Sequence, residues 1–449
     1  MGNEATRLVL ARIALEVLLS APKAKQDFGN GAIALAAQPG VEGAQGQDMP
    51  LPELGGHVAE VGARRSALEG SPEAPRRMGA KLHEVVQRQF DGVERRRIRH
   101  GLGQPELVLD AIRRKGSVAR SELTEETPLS QQSVHRLAED LLERGLLRLE
   151  APKIAGRGKP SPQLALAPDG AYGIGIAVDT DDVRIAVTNL VGDLLHLVTL
   201  EADPNDPEGV RIGAEAEVPA IVERLGLPAE RVAGVGISMQ GYRRRPGTAF
   251  VPPPKIGAWR DRDVALIFDN AFAFPIMAEN NATLGAEAEN WVGAGRRFDN
   301  FAYLSINQGF GGGIVVNGAP YIGYHMNAAE ISSIYTEEET ERRPALRILI
   351  AMLREAGHEI GSVSELKARY DPSWPTIDRW IARVTPALDQ MLRAITGILD
   401  PAAIVFGGEA PHDLRRRLAE AANPRTVDDI GLPFPGPELL ISSIETDPN

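Results

Sequence analysis

The chain has 449 residues, 43% of them hydrophobic and 24% charged, and it contains no cysteine. That length exceeds what one hydrophobic core organises and calls for two or three domains, while the absence of cysteine excludes disulfides, thiolate catalysis and Cys-ligated zinc. The net charge of −12 hides a segregation, about +4 over residues 81–168 against about −15 over residues 169–449, so a basic segment suited to a polyanion precedes an acidic bulk.

No run approaches the roughly eighteen apolar residues of a membrane span. The apolar stretch near the start is broken by Arg12 and Glu16, which disqualifies it as a secretory h-region. A cytoplasmic location with no membrane partner is expected. Residues 1–80 are rich in Ala, Gly and Pro without sustained periodicity and read as a weakly ordered N-terminal extension. Met78, just ahead of the first structured stretch, would serve as a later start. A helix is predicted over 81–100, ending in a basic run that reads either as a solvated face or as a phosphate-contacting arm.

Leu107, Val108 and Ile112 space as one helical face, and Gly116 ends that helix. A short helix around 120–124 leads through Thr127-Pro128-Leu129 to Ser130, an N-cap residue. The helix it opens turns Val134, Leu137 and Leu141 inward and leaves Gln131, Gln132, His135 and Arg136 outward near its N-terminus, with Ser133 in the same first turn. A recognition helix presents such side chains to the major groove, where Gln reads adenine and Arg reads guanine. Residues 146–150 and 163–166 read as a β-ribbon whose loop carries Gly156-Arg157-Gly158-Lys159-Pro160. A Gly-flanked Arg157, with Lys159 beside it, suits a narrow minor groove. A polar solvent face is the plainer reading of Gln131, Gln132 and His135, but the basic wing favours DNA. Residues 81–168 are therefore expected to form a winged helix-turn-helix domain, with operator DNA as partner and Ser130, Gln131, Gln132, Ser133, His135, Arg136, Arg157 and Lys159 as its contacts.

From residue 171 onward apolar strands alternate with helices. Strands are predicted at 172–178, 183–189, 194–200, 232–238, 275–279, 301–306 and 314–317, with helices at 207–225, 282–292 and 376–399. The pattern is α/β with two sheets.

Three motifs sit on this frame: Glu279-Asn280-Asn281-Ala282 at a strand end, the turn Asn307-Gln308-Gly309-Phe310-Gly311-Gly312-Gly313, and Ile404-Val405-Phe406-Gly407-Gly408 near the tail. Together with the winged helix they resemble the ROK family (repressors, open reading frames and sugar kinases) over about residues 104–449. The resemblance implies a two-lobed, actin-like sugar-kinase fold for residues 169–449. In the kinases the strand ends in Glu-Asn-Asp, and the aspartate takes the proton of the sugar hydroxyl; the matching residue here is Asn281. An amide lacks a basic lone pair, so Asn281 can hold a hydroxyl without deprotonating it.

Other departures point the same way. Where the kinases place an Asp and a Gly-rich turn against ATP phosphate, this chain has Ala177 and then Asp179-Thr180-Asp181-Asp182, carboxylates that repel a polyanion. Gln308 replaces the second loop's Thr, and the glycines after it either keep a tight turn or retain anion binding. The family's Glu-x-Gly-His becomes Glu330-Ile331-Ser332-Ser333, its zinc cysteines are missing, and His325 and His358 stand alone. No metal, cofactor or catalytic residue is expected, and the acidic run 337–341 reads as a solvated helix start.

What the resemblance leaves is a set of sugar-type contacts, Gly241, Glu279, Asn280, Asn281 and Glu330, with residues 255–259 at the rim. The plainer reading of Glu279 and Asn280 is a cap for the next helix. The expected function is a transcriptional regulator, a repressor acting as a homodimer or higher homo-oligomer, whose degenerate kinase-like domain senses a sugar or related small effector. The alternatives are an active ATP-dependent sugar kinase carrying a DNA-binding domain and a constitutive DNA-binding scaffold.

Overall fold

The computed structural model describes residues 104–152, 161–424 and 435–444, all within one compact unit. The expectations for residues 1–80, for the basic helix 81–100 and for Arg157 and Lys159 lie outside the described residues.

The first part runs α1 (Gln104–Lys115), β1 (Ser117–Ala119), α2 (Arg120–Glu126), α3 (Gln131–Glu143), β2 (Leu147–Glu150) and β3 (Gln163–Leu166). Gly116 stops α1 at φ 76°, a conformation that favours glycine. Ser130 opens α3 by accepting the Ser133 amide at 3.2 Å, and the helix buries Val134, Leu137, Ala138 and Leu141. The sheet order is β1-β3-β2, antiparallel throughout. Strand β1 is absent from the sequence reading, because three residues between two helices are too few to show a period of two.

The remainder builds two five-stranded sheets. The first contains β4 (Tyr172–Val178), β5 (Val183–Asn189), β6 (Leu194–Leu200), β7 (Val232–Met239) and β8 (Ile276–Asn280) in the order β6-β5-β4-β7-β8, with α4 (Pro207–Arg224) and α5 (Val264–Ile267) between them. Next in the chain come α6 (Asn281–Val292), β9 (Phe301–Ile306), β10 (Phe310–Val316), β11 (Ala319–Pro320), α7 (Glu337–Thr340), α8 (Leu346–Glu355), α9 (Val363–Arg369), α10 (Pro375–Leu399), β12 (Ala403–Gly407), α11 (His412–Ala421) and β13 (Glu438–Ile441). The second sheet takes the order β11-β10-β9-β12-β13. Ile174, Ile176 and Ile185 pack with Trp259 and Phe268 beside the first sheet, and Leu304 and Ile404 pack with Leu349, Trp380 and Leu388 beside the second.

The glycine-rich turn is itself strand, since β10 begins at Phe310 rather than at 314. A Cβ on Gly313 would come within 2.5 Å of Ala286 Cβ and 2.7 Å of the Ala282 carbonyl, so this glycine lets α6 lie flat on β10. That favours the structural reading of the glycines.

The winged helix is fused to the kinase-like part by packing as well as by chain. Val108, Leu109 and Ile112 of α1 belong to one buried cluster with Leu190, Ala288 and Trp291. Among the described residues no helix is long and apolar enough to cross a membrane, and no group of three or more His, Asp or Glu could hold a metal ion.

Candidate functional site

The carboxyl ends of β7 and β8, the start of α6, the β9–β10 turn and the loop before Ile331 enclose a cavity of about 540 Å³. Such a volume matches a small ligand. Gly241, Asn280, Asn281, Gln308, Glu330 and Arg343 are among the residues that line it. Gly241 adopts φ 108°, and a Cβ there would meet the Val251 carbonyl oxygen at 2.2 Å, so only glycine fits this wall.

The expected contacts divide. Asn281 lines the cavity, and its amide makes no hydrogen bond to protein among the described residues. Burial raises the Glu330 carboxyl above the usual range, against the pull of Arg343. Asn280 is already engaged: its Oδ1 accepts the Ala282 and Thr283 amides at 2.8 and 3.1 Å, and its Nδ2 donates to the Gly241 carbonyl at 2.8 Å. Glu279 is corrected, because it does not line the cavity and instead lies 2.8 Å from Arg243 and accepts the Asn280 amide at 2.6 Å. The expected rim is corrected too. Trp259 is fully buried with its indole donating to the Pro204 carbonyl at 2.7 Å, Lys255 pairs with Asp181, and Pro252, Pro253 and Pro254 line the cavity in their place.

Beside the cavity, the β4–β5 turn is tied shut. Arg184 lies 2.9 Å from Asp179, 2.8 Å from Asp182 and 3.1 Å from Glu409, which comes just after β12 on the other sheet. Gln240 donates to Asp179 at 3.1 Å, and the Val363 amide at the start of α9 donates to Asp181 at 3.0 Å. The carboxylates expected to repel a polyanion are thus each engaged by a donor or cation of the protein itself. The Asn307 and Gln308 carbonyls accept the Leu346 and Arg347 amides at 2.8 and 3.2 Å, so the start of α8 covers the second loop. A second tie crosses between the halves where Arg243 and Asn327 exchange backbone and side-chain hydrogen bonds of 2.7 and 2.6 Å.

In the N-terminal part, Gln131, Gln132, His135 and Arg136 are exposed on α3. Gln131, Gln132 and His135 face a shallow depression shared with Arg120 and Ser121 of α2, two residues the sequence reading did not include. From the other side, Arg113 of α1 donates to the Trp291 carbonyl at the end of α6 and stacks over its indole at 4.9 Å. Arg114 pairs with Asp299 just beyond.

A model of the ROK family matches residues 173–343, and one of the MarR family matches residues 107–158. The chain carries a ROK family domain. Its composition, a MarR-type winged helix ahead of a ROK domain, is that of the family's DNA-binding transcriptional regulators. Uncharacterized protein y4fQ of Sinorhizobium fredii is 29% identical over 75% of this chain and 86% of its own length. The xylose repressor of Bacillus spizizenii is 26% identical over 48% of this chain, and the match spans 56% of that repressor. The crystal structure of a ROK family transcriptional regulator, a homolog of the E. coli MLC protein, superposes with a TM-score of 0.52 at 19% identity, covering 75% of this chain and 90% of that one. This likeness speaks to the fold.

Within the ROK domain the sequence reading missed Arg184, Glu409, Arg243, Arg343 and Arg347. One signal was present: Arg184 interrupts the apolar run Val183-Arg184-Ile185-Ala186-Val187, and a charge buried in a central strand demands a partner.

Proposed function

We propose that this ROK regulator is a repressor acting as a homodimer, and that its kinase-like domain has lost phosphoryl transfer and senses a sugar or related small effector. The observation that carries the reading is the Arg184 cluster. It fills the turn that the family's kinases direct at ATP phosphate with an internal ion network, while an open cavity persists beside it. Asn281 supports it further, since an amide at the general-base position binds a hydroxyl but cannot accept its proton. A xylose repressor among the relatives supports a sugar as the effector class.

The effector contacts are Asn281 and Glu330, with Gly241 and Asn280 shaping the wall. On the DNA side, Ser130, Gln131, Gln132, Ser133, His135 and Arg136 meet the major groove. Coupling runs through α6, whose first residues line the cavity and whose last residues hold α1. An effector that binds one arrangement of the halves better than another shifts the population of winged-helix spacings in the dimer.

A coupled assay of ADP release with hexoses and pentoses tests the enzymatic part. The purified protein is expected to match a no-enzyme control. Asn281→Asp alone is expected to stay inactive, because the Arg184 cluster still occupies the phosphate turn; sugar-dependent ADP release by the wild type would establish a kinase.

A further inference from the structure

The cavity's lining is unbalanced in charge. One carboxylate, Glu330, lines it, against two guanidiniums, Arg343 and Arg347. Glu341, which is not part of the lining, holds Arg347 at 2.8 Å. Arg343 has no such partner: among the described residues its side chain makes no hydrogen bond and no ion pair, and its Nε is buried without an acceptor. Glu341 and Glu330 are both near enough to feel its charge, but neither is paired with it. Burial first, and the charge of Arg347 next, hold the Arg343 pKa below its ordinary value. A guanidinium that is partly stripped of water beside a second cation is unfavourable until an anion arrives. The same cavity also holds neutral groups in want of partners, the Asn281 amide and the buried Gln308 Oε1.

We propose that the cavity is built for a sugar bearing an anionic group, a carboxylate or a phosphate, with Arg343 and Arg347 meeting the anion and Asn281, Gln308 and Glu330 meeting hydroxyls. The inference rests on the sensor reading and narrows it to a class of ligand. Bidentate pairing with a planar guanidinium suits both anions. A neutral sugar would leave Arg343 as it stands.

Calorimetric titration of the full chain with three probes of one carbon skeleton tests this: D-glucose, D-glucuronate and D-glucose 6-phosphate, and then the same series built on galactose and mannose. At least one anionic form is expected to bind tenfold or more tightly than its neutral parent, and whether that form is the acid or the phosphate identifies the source of the anion. Arg343→Gln is expected to erase the preference, whereas Arg343→Lys retains part of it. The wild-type comparison needs no variant to fold. Neutral sugars binding as tightly as their anionic forms would overturn the anionic class while leaving a sugar sensor in place. Absence of binding by every probe would overturn both readings.

Discussion

Arg184 is the counter-ion of three buried or part-buried carboxylates, Asp179, Asp182 and Glu409. Arg184 and, less strongly, Lys367 act on Glu409 against its burial. Burial first, and the charge of Asp179 next, push Glu409 up to about 7 despite Arg184, and burial raises Asp182 as well. In the unfolded chain Glu409 returns to 4.5. Between those two values the folded form holds a proton that the unfolded form has released, so this group's contribution to stability declines as pH rises through the window and levels off above it. Glu409→Gln, neutral at every pH and similar in shape, is expected to match the wild type near pH 5 and to exceed it by on the order of 1–3 kcal/mol at pH 8. Urea denaturation at the two pH values measures this, and a stability difference independent of pH would remove Glu409 from the proton-holding role.

At the scale of elements, α6 joins the two functions. Its 12 residues span roughly 18 Å, from Asn281 in the cavity wall to Trp291 under Arg113. Nearly all of it is buried, and Gly285 lies so close to Tyr303 that a Cβ would approach the ring to 2.4 Å. A helix clamped this tightly moves as a body or not at all. Arg113→Ala removes the hydrogen bond to the Trp291 carbonyl, the stacking on its ring and the 2.6 Å pair with Asp110. It is expected to reduce the effector's influence on operator affinity, by much of the 1–3 kcal/mol typical of such coupling, roughly, while effector affinity measured by calorimetry stays within a few fold. Full retention of the DNA response in this variant would route the signal around α6.

The elements themselves were largely legible in the sequence. Strands 172–178, 183–189 and 301–306 coincide with β4, β5 and β9, because buried central strands combine apolar runs with clear turn residues at their ends, and 194–200 coincides with the edge strand β6. The site was less so. The ties that shape it join residues far apart, Arg184 to Glu409 and Arg243 to Asn327, and local periodicity carries nothing about which distant group completes a buried charge. Asn280 and Glu279 show the same limit: their types suit sugar hydroxyls, yet backbone amides and Arg243 engage them first.

For the molecule as a whole, a basic winged helix with an exposed polar first turn on α3 precedes an acidic ROK domain whose cavity is open beside a closed phosphate turn. The central claim is that cavity occupancy sets DNA affinity without phosphoryl transfer. Its most direct test is a fluorescence-anisotropy titration of the full chain against the genomic fragment it retains most strongly, at fixed salt and without ATP, with and without a sugar that calorimetry shows to bind. The account predicts that the sugar shifts the operator Kd by about 5- to 150-fold in the wild type, and that Glu330→Ala abolishes the shift while leaving sugar-free operator affinity within a factor of two. An operator Kd that ignores the bound sugar, or a full shift in Glu330→Ala, would contradict it.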